Sequence, residues 1–434
     1  GGMSASAAAA GEPPRFGSQV PFAEPGHLQG QRSPFFGESH LRWRKRCREF
    51  VERELVPFVD AWDEAGDVPG DELRAKAYAA GIFGATWPRE YGGTPPEGSE
   101  GPWHGFGEGT RVDPFFDLVL QDELARCASG GVLVSVFGAT GIGLPPILAF
   151  ASEELKARVG PPCVTGRKTC CLCVTEPGGG SDVAAIQTTA VREGDFFVVN
   201  GAKKWITGGL KADFFTVLVR TGSSGEGRSG ASMLVLERGM PGIKMRRMQT
   251  QGWWASSTTY IEFEDVRVPV GNLVGSEGWG FMYAMVNFNH ERFSMVAHSL
   301  RYSRICVEDA IMFARRRKTF GKRLIDHQVI RHKIAEMARG LEGTERALEN
   351  YTYQVKSGVP DHELAGYISL VKVGGSKLME FCAREASQIL GGQSFTRGGA
   401  GGRIERIYRE VRVMAIGGGS EEVMLNLAMA QAKL

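Results

Sequence analysis

The sequence predicts an α+β protein built as an N-terminal helical domain, a middle β-barrel-like domain and a C-terminal helical bundle. Three observations carry this expectation. Apolar residues fall at helical spacing from Ser39 to about Gly160, short β segments with Gly-rich turns follow from about Lys168, and helical periodicity returns from Gly278 onward. The expected domains are residues 39–165, 166–276 and 277–434, behind an N-terminal arm at 1–38. No G-x-G-x-x-G opens a βαβ unit, which disfavours a Rossmann dinucleotide site.

Local patterns justify each element. Leu41, Phe50, Val51, Leu55 and Phe58 fall largely at three-, four- and seven-residue spacings with charges between them, the stripe of a helix that buries one face. Further helices are expected at 71–80, 117–127 and 142–150, and a long surface loop at 93–109, which is packed with Gly, Pro and polar residues. In the β block, segments 196–199 and 204–207 flank Asn200-Gly201, a strong hairpin signal. Segments 214–219, 232–236 and 258–264 are further strands, and the block ends at Val266-Arg267-Val268-Pro269. A periodic run over 281–317 predicts one long helix, and Gly358-Val359-Pro360, Gly391-Gly392 and Gly417-Gly418-Gly419 punctuate the helices after it.

Composition narrows the function. Apolar residues make up 42% and charged residues 23%, ordinary for a soluble globular chain. A net charge of +2 supplies no global basic field for nucleic acid or membrane, and Arg315-Arg316-Arg317-Lys318 reads as a solvated helix face. No apolar run is expected to reach the roughly 18 residues of a membrane span. Eight cysteines in so long a chain do not suggest a secreted disulfide framework. Cys170, Cys171 and Cys173, with Cys163 nearby, lie in a stretch without turn residues, so neighbours would project to opposite faces of a strand. They read as small buried thiols, and no metal is expected. Gly1-Gly2 ahead of Met3 reads as a cloning remnant, and residues 4–33, without apolar periodicity, as a tail or extended arm.

Four segments point to one chemistry. Val174-Thr175-Glu176-Pro177-Gly178-Gly179-Gly180-Ser181-Asp182 ends a strand in a turn whose backbone N–H groups can face an anion. Asn200-Gly201-Ala202-Lys203-Lys204-Trp205-Ile206-Thr207 follows. Arg317-Lys318-Thr319-Phe320-Gly321-Lys322 is trailed by His327-Gln328, and Gln388-Ile389-Leu390-Gly391-Gly392 by Arg406-Ile407-Tyr408-Arg409-Glu410. In this order and spacing, over roughly residues 39–430, they resemble the signatures of the acyl-CoA dehydrogenase family. The resemblance implies an acyl-CoA dehydrogenase-like fold, noncovalent FAD and an acyl-CoA substrate. It implies flavin contacts for Cys173, Thr175, Gly180, Ser181, Trp205, Thr207, Ser420 and Glu422, with Thr207 near flavin N5 and Trp205 packed on the isoalloxazine. Gln328 would contact the cofactor, and Arg317, Thr319, Phe320, Gln388 and Gly392 would reach the FAD of a neighbouring subunit, so a homo-oligomer, dimer or dimer of dimers, is expected. Taken alone, the glycine turn with Trp205 is equally a β-turn with a core Trp. Arg317 suits either bidentate pyrophosphate binding or a helix C-terminus.

The reaction requires a carboxylate that takes the α-proton. In many relatives it sits just before a Gly-Thr or Gly-Ser opening the late helix, where this chain has Gly418, without a side chain. In the long-chain and isovaleryl members the base comes from the helix opening the third domain, and Glu291 matches that position. Ala284, Phe288, Glu291 and Met295 follow i, i+4, i+7, i+11, which sets a carboxylate on an apolar stripe where burial raises its pKa. On the helix alone, a Glu paired with Arg292 explains it as well. Gly418 would offer its backbone amide to the thioester carbonyl, and Ser181, Phe288 and Arg292 would contact substrate. Glu421 and Glu422 are the rival carboxylates, in the first turn after Ser420 where acids offset the helix dipole.

Ala432-Lys433-Leu434 is one substitution from Ser-Lys-Leu, which predicts a peroxisome or related microbody, with the mitochondrion as the alternative. Fatty acid β-oxidation would suit that address. Electrons would pass to an electron-transferring flavoprotein, or to O2 in a same-fold oxidase; a vestigial FAD-binding protein without turnover is the third reading.

Overall fold

The structure, a computed structural model, describes residues 15–99, 112–222 and 224–433. Helices α1 (Glu38–Glu54), α2 (Val59–Ala65), α3 (Gly70–Ala79) and α4 (Pro114–Leu124) open the chain. The Asp113 carboxylate accepts from the Phe115 amide and Pro114 presets the first turn, which fixes where α4 begins. Most of the loop expected at 93–109 lies outside the described residues. Next come α5 (Gly130–Leu133), α6 (Ala139–Gly143), α7 (Pro145–Phe150) and α8 (Glu153–Val164), the last capped by Ser152. The stretch Gly130–Phe150 is long and apolar enough by composition to cross a membrane, which corrects the expectation that no run has that length. A π-helical segment at 134–138 and a bend at Leu144 before Pro145 interrupt its regular α-helix, and most of it is buried inside the fold.

Strands β1 (Cys170–Cys173), β2 (Thr189–Glu193), β3 (Phe196–Ile206), β4 (Phe214–Arg220), β5 (Ala231–Glu237), β6 (Ile243–Arg247) and β7 (Thr259–Pro269) form one sheet. Its order is β1-β4-β2-β3-β7-β6, with β5 also paired to β4. The β1 thiols divide by alternation: Cys170 joins a core shared with the helices, while Cys171 and Cys173 join one made of strand residues.

The hairpin expected at Asn200-Gly201 is not there. β3 runs straight through both residues, and the reversal comes earlier, at Gly194-Asp195, where Gly194 takes φ +59°. Asn200-Gly201 is instead a bulge against β7, with the register shifting between Val199 and Gly201. Gly201 has φ +144°, and a Cβ there would lie 2.7 Å from the Thr188 backbone. The Asn200 amide pairs with Asp265 across the bulge at 3.0 Å.

The last block contains α9 (Gly280–Arg316), a small hairpin β8 (Lys318–Thr319) and β9 (Lys322–Arg323), α10 (Gln328–Lys356), α11 (Asp361–Leu390), α12 (Gly402–Ile416) and α13 (Glu421–Gln431). At 37 residues, α9 is the spine. Its Tyr283 and Ala284 pack into the core shared with the β strands, and Phe293, Val296, Leu300 and Val307 into the core of the helical blocks. Burying each such large apolar side chain contributes about 1.5–3 kcal/mol.

The arm is docked through charge. Glu24, 1% exposed, accepts from Arg48 at 3.0 Å and from Arg126 and Arg301 at 3.1 Å. Arg304 donates to the Phe22 and Glu24 carbonyls at 2.8 and 2.9 Å. Asp122 and Glu123 complete the cluster with Arg44, Arg48 and Arg301.

Candidate active site

A cavity of about 1150 Å³ opens where α4, the β strands, α9 and the Gly417–Gly419 loop converge, somewhat above the usual range for small-molecule sites. Of the residues singled out in the sequence, Thr175, Gly180, Ser181, Trp205, Thr207, Phe288, Glu291, Arg292, Gly418 and Ser420 all line it.

Glu176 shapes the glycine turn. Its carboxylate accepts from Lys203 Nζ at 2.7 Å and from the Gln187 and Thr188 amides at 2.6 and 2.9 Å. Burial pushes its pKa up, but Lys203 together with the Thr188 and Gln187 hydrogen bonds outweighs burial and holds it below the usual range. Lys203, fully buried, also donates to the Val174 carbonyl at 3.0 Å. One ion pair therefore ties the Thr175–Ser181 turn to β3 just before Trp205. A Cβ added at Gly178 would meet nothing within 4 Å, so the bare backbone faces open space. Trp205 is 50% exposed and takes φ +59°, a strained value for a bulky residue. Lys204 lies 4.3 Å from its ring centroid. An open glycine cradle, a half-bare indole and the Ser181 and Thr207 hydroxyls along one wall fit a large planar cofactor that bears phosphates.

On the opposite wall Glu291 is half-buried, and burial raises its pKa against the opposing charges of Arg292, Lys372 and His290. Arg292 is committed elsewhere: Nε donates to the Gly418 carbonyl at 3.0 Å, Nη1 to Asn289 Oδ1 at 3.0 Å, and the guanidinium lies 5.7 Å from the Phe288 ring. The alternative of a Glu291–Arg292 ion pair is therefore not what the structure forms. Lys372, 1% exposed on α11, donates to the carbonyls of Ala415 and Gly419 at 2.9 and 2.8 Å. These two cations pin the loop by its carbonyls. Gly418 takes φ +65°, and its N–H meets no acceptor among the described residues. A carboxylate of raised pKa and an unspent backbone N–H thus share one cavity, the pairing that removes a proton from carbon and steadies the resulting enolate. The rival carboxylates do not line it: Glu421 accepts from Ser376 at 2.6 Å and Glu422 is exposed.

Comparison with known proteins decides the family. Sequence profiles for the N-terminal, middle and C-terminal domains of acyl-CoA dehydrogenase match residues 37–167, 171–266 and 278–433. The chain belongs to the acyl-CoA dehydrogenase family. It is 37% identical over 431 residues to acyl-CoA dehydrogenase AFT10-1 of Alternaria alternata, covering 96% of each chain. It is 31% identical to the short-chain specific acyl-CoA dehydrogenase, mitochondrial, of Rattus norvegicus, over 89% of this chain and 88% of the other. The crystal structure of acyl-CoA dehydrogenase from Geobacillus kaustophilus superposes with a TM-score of 0.83 at 29% identity, covering 93% of this chain and all of that one. The fold is accordingly the three-domain acyl-CoA dehydrogenase fold, and the protein is a flavin-dependent oxidoreductase of that family.

In this acyl-CoA dehydrogenase some expected contacts lie away from the cavity. Cys173 does not line the cavity, and its side chain is buried among strand residues, with Sγ 3.7 Å from Cys171 Sγ. Arg317, Thr319, Phe320, Gln328, Gln388 and Gly392 do not line the cavity of their own chain. Most are exposed, Phe320 at 97%, while Thr319 is half-buried with Oγ1 3.0 Å from His327 Nε2. Ser420 lines the cavity, but its Oγ also accepts from the Val423 amide as the N-cap of α13. Glu422 stays at the surface. Sequence reasoning missed Lys372 and the Glu176–Lys203 pair as positioning groups. A lysine beside Val371 and Val373, one turn past Ile368, was the available signal for the first.

Proposed function

We propose that this protein binds FAD noncovalently and dehydrogenates an acyl-CoA thioester between its α and β carbons, giving the trans-2-enoyl-CoA. When bound, FAD supplies the acceptor for the β-hydride. Glu291 takes the α-proton, its raised pKa making it a stronger base than an exposed carboxylate. The Gly418 amide donates to the thioester carbonyl as negative charge gathers there, and Arg292 and Lys372 hold that amide in place through the carbonyls of the loop. Phe288, Ser181 and the apolar walls exclude water around the acyl group. The observation that carries the reading is that Glu291, and neither Glu421 nor Glu422, lines the cavity together with Gly418. Purified protein should be yellow, release FAD on denaturation and bleach anaerobically with acyl-CoA. Colourless protein that cannot be reconstituted would sink the reading.

The proposal extends to assembly and address. Subunits would pair so that Arg317, Phe320, Gln388 and Gly392 reach a neighbour's cofactor, in a dimer or dimer of dimers. Phe320 and Phe395, 97% and 91% exposed, are the apolar surface such pairing would cover. Electron-transferring flavoprotein is the proposed acceptor, and stopped-flow reoxidation against O2 separates it from an oxidase. Ala432 and Lys433 are exposed after α13, which supports a peroxisomal address. A fluorescent fusion lacking residues 432–434 should then leave the organelle.

A further inference from the structure

On α9, the residues His290, Ser294 and His298 recur every four positions and all line the cavity, one row over from Glu291 and Met295. Gln121 faces them from α4. The four are joined into one chain of hydrogen bonds through Asp117, which is fully buried. Gln121 Nε2 donates to Asp117 Oδ1 at 3.0 Å, and His290 Nε2 meets Asp117 Oδ2 at 2.8 Å. A carboxylate cannot donate, so the Gln121 amide is oriented with its oxygen toward α9. The 2.9 Å contact from His298 Nε2 to Gln121 Oε1 therefore carries the proton on His298 Nε2. Ser294 Oγ donates to the His290 carbonyl at 3.1 Å.

The groups left over have a definite character. Gln121 Oε1 keeps a lone pair, Ser294 Oγ keeps its own, and His298 Nδ1 is an acceptor in this tautomer; one Gln121 N–H is the spare donor. The nearby apolar walls are Leu120, Leu124 and Met295. A plain alkyl chain laid here would strip water from several acceptors and return nothing. A hydroxyl both donates and accepts, and fits. A carboxylate does not, since the spare groups are mainly acceptors, Asp117 lies behind them, and burial keeps His298 neutral by lowering its pKa to about 4. His298 lies seven residues beyond Glu291 on α9, about 10 Å at 1.5 Å per residue, so the subsite falls well beyond the α-carbon.

We propose that the α4–α9 wall, through Gln121, Ser294 and His298, recognises an uncharged hydroxyl near the far end of the acyl group, so that the substrate is a hydroxylated acyl-CoA. This rests on the acyl-CoA dehydrogenase reading of the same cavity. The subsite acts by hydrogen bonding alone and takes no part in bond breaking.

The test uses the purified holoenzyme and matched acyl-CoA pairs of equal length, with and without a hydroxyl moved one carbon at a time along the distal half. Anaerobic flavin reduction should show kcat/KM higher by about tenfold or more for the best-placed hydroxyl, the scale of one well-made hydrogen bond. Displacing the hydroxyl by one or two carbons should erase the preference. His298→Phe and, separately, Gln121→Met should bring the ratio toward one, with thermal melts run alongside to show that each variant is folded. Equal or better turnover of the plain chain at every length overturns the subsite and leaves the dehydrogenase reading standing, as does a preference that survives both substitutions. Failure of every thioester to reduce the flavin removes the dehydrogenase reading, and the subsite with it.

Discussion

Under the proposed function, Glu291 is a side chain costly to the fold and needed by the reaction. Burial penalises its charged form, and no hydrogen bond among the described residues compensates. A carboxylate whose folded pKa is raised weakens the fold above its unfolded pKa and ceases to do so once protonated. Glu291→Gln should therefore raise the melting temperature at neutral pH and leave it nearly unchanged in acid, as followed by calorimetry. The same variant should keep FAD and bind acyl-CoA, while substrate-driven bleaching falls by about a hundredfold or more. Bleaching at the wild-type rate would show that the base lies elsewhere. In the wild type the rate should climb as pH rises through the elevated Glu291 pKa. Moving the carboxylate to position 418 faces an obstacle invisible in the sequence: φ is +65° there, and a Cβ would sit 3.0 Å from Met295 Sδ. That Glu291 lines the cavity was legible from the resemblance and the vacant Gly418, since the apolar stripe alone fits a Glu291–Arg292 pair as well. The unspent N–H of Gly418 was not, since it depends on where the Arg292 and Lys372 side chains end.

At the scale of elements, pairs that meet across the chain organise the site. The Asn200-Gly201 dipeptide suits a turn and a bulge alike; only the partner strand distinguishes them, and β7 supplies it. Lys203 stands within a sequence motif, but its role depends on Glu176, which only the folded sheet brings within 2.7 Å. Lys372 belongs to this class. Its pKa is lowered to about 8 by burial, so its charge fades as pH passes 8. The pH–rate profile should accordingly be bell-shaped, with a falling limb near pH 8. Lys372→Met should lower the bleaching rate about tenfold, abolish that limb and move the rising limb upward, since Lys372 helps to hold the Glu291 pKa down. A merely structural lysine would change stability and leave both limbs in place.

Across the whole molecule, the arm and the assembly matter most. The arm offered no periodicity because charge, rather than an apolar face, docks it. Burial raises the Glu24 pKa, but Arg301, Arg126 and Arg48 together hold it down at about 2. Its contribution is then present above the unfolded pKa near 4.5 and drains away as pH falls toward 2. Glu24→Gln leaves those arginines short of their counter-charge and should cost about 3–5 kcal/mol in denaturant melts near neutral pH, with the gap closing in acid. Cross-subunit contacts are outside what one chain can express, so Arg317 and Phe320 could be read only through resemblance. Arg317→Ala should weaken FAD retention while light scattering still reports an oligomer; a monomer that keeps full FAD affinity would contradict the assignment.

The eight cysteines, all buried and free, have a use beyond packing. Cys47, Cys127, Cys306 and Cys382 sit in the main helical core, Cys163 and Cys170 in the core between helices and sheet, and Cys171 and Cys173 among the strands. Burial pushes most of these thiols above their ordinary pKa, Cys170 to about 12, so they are inert while covered and react once exposed. The chain thus carries its own set of clocks. A pulse of alkylating reagent in mild denaturant, read out peptide by peptide, would time the opening of each core separately and show whether the strands or the helices give way first.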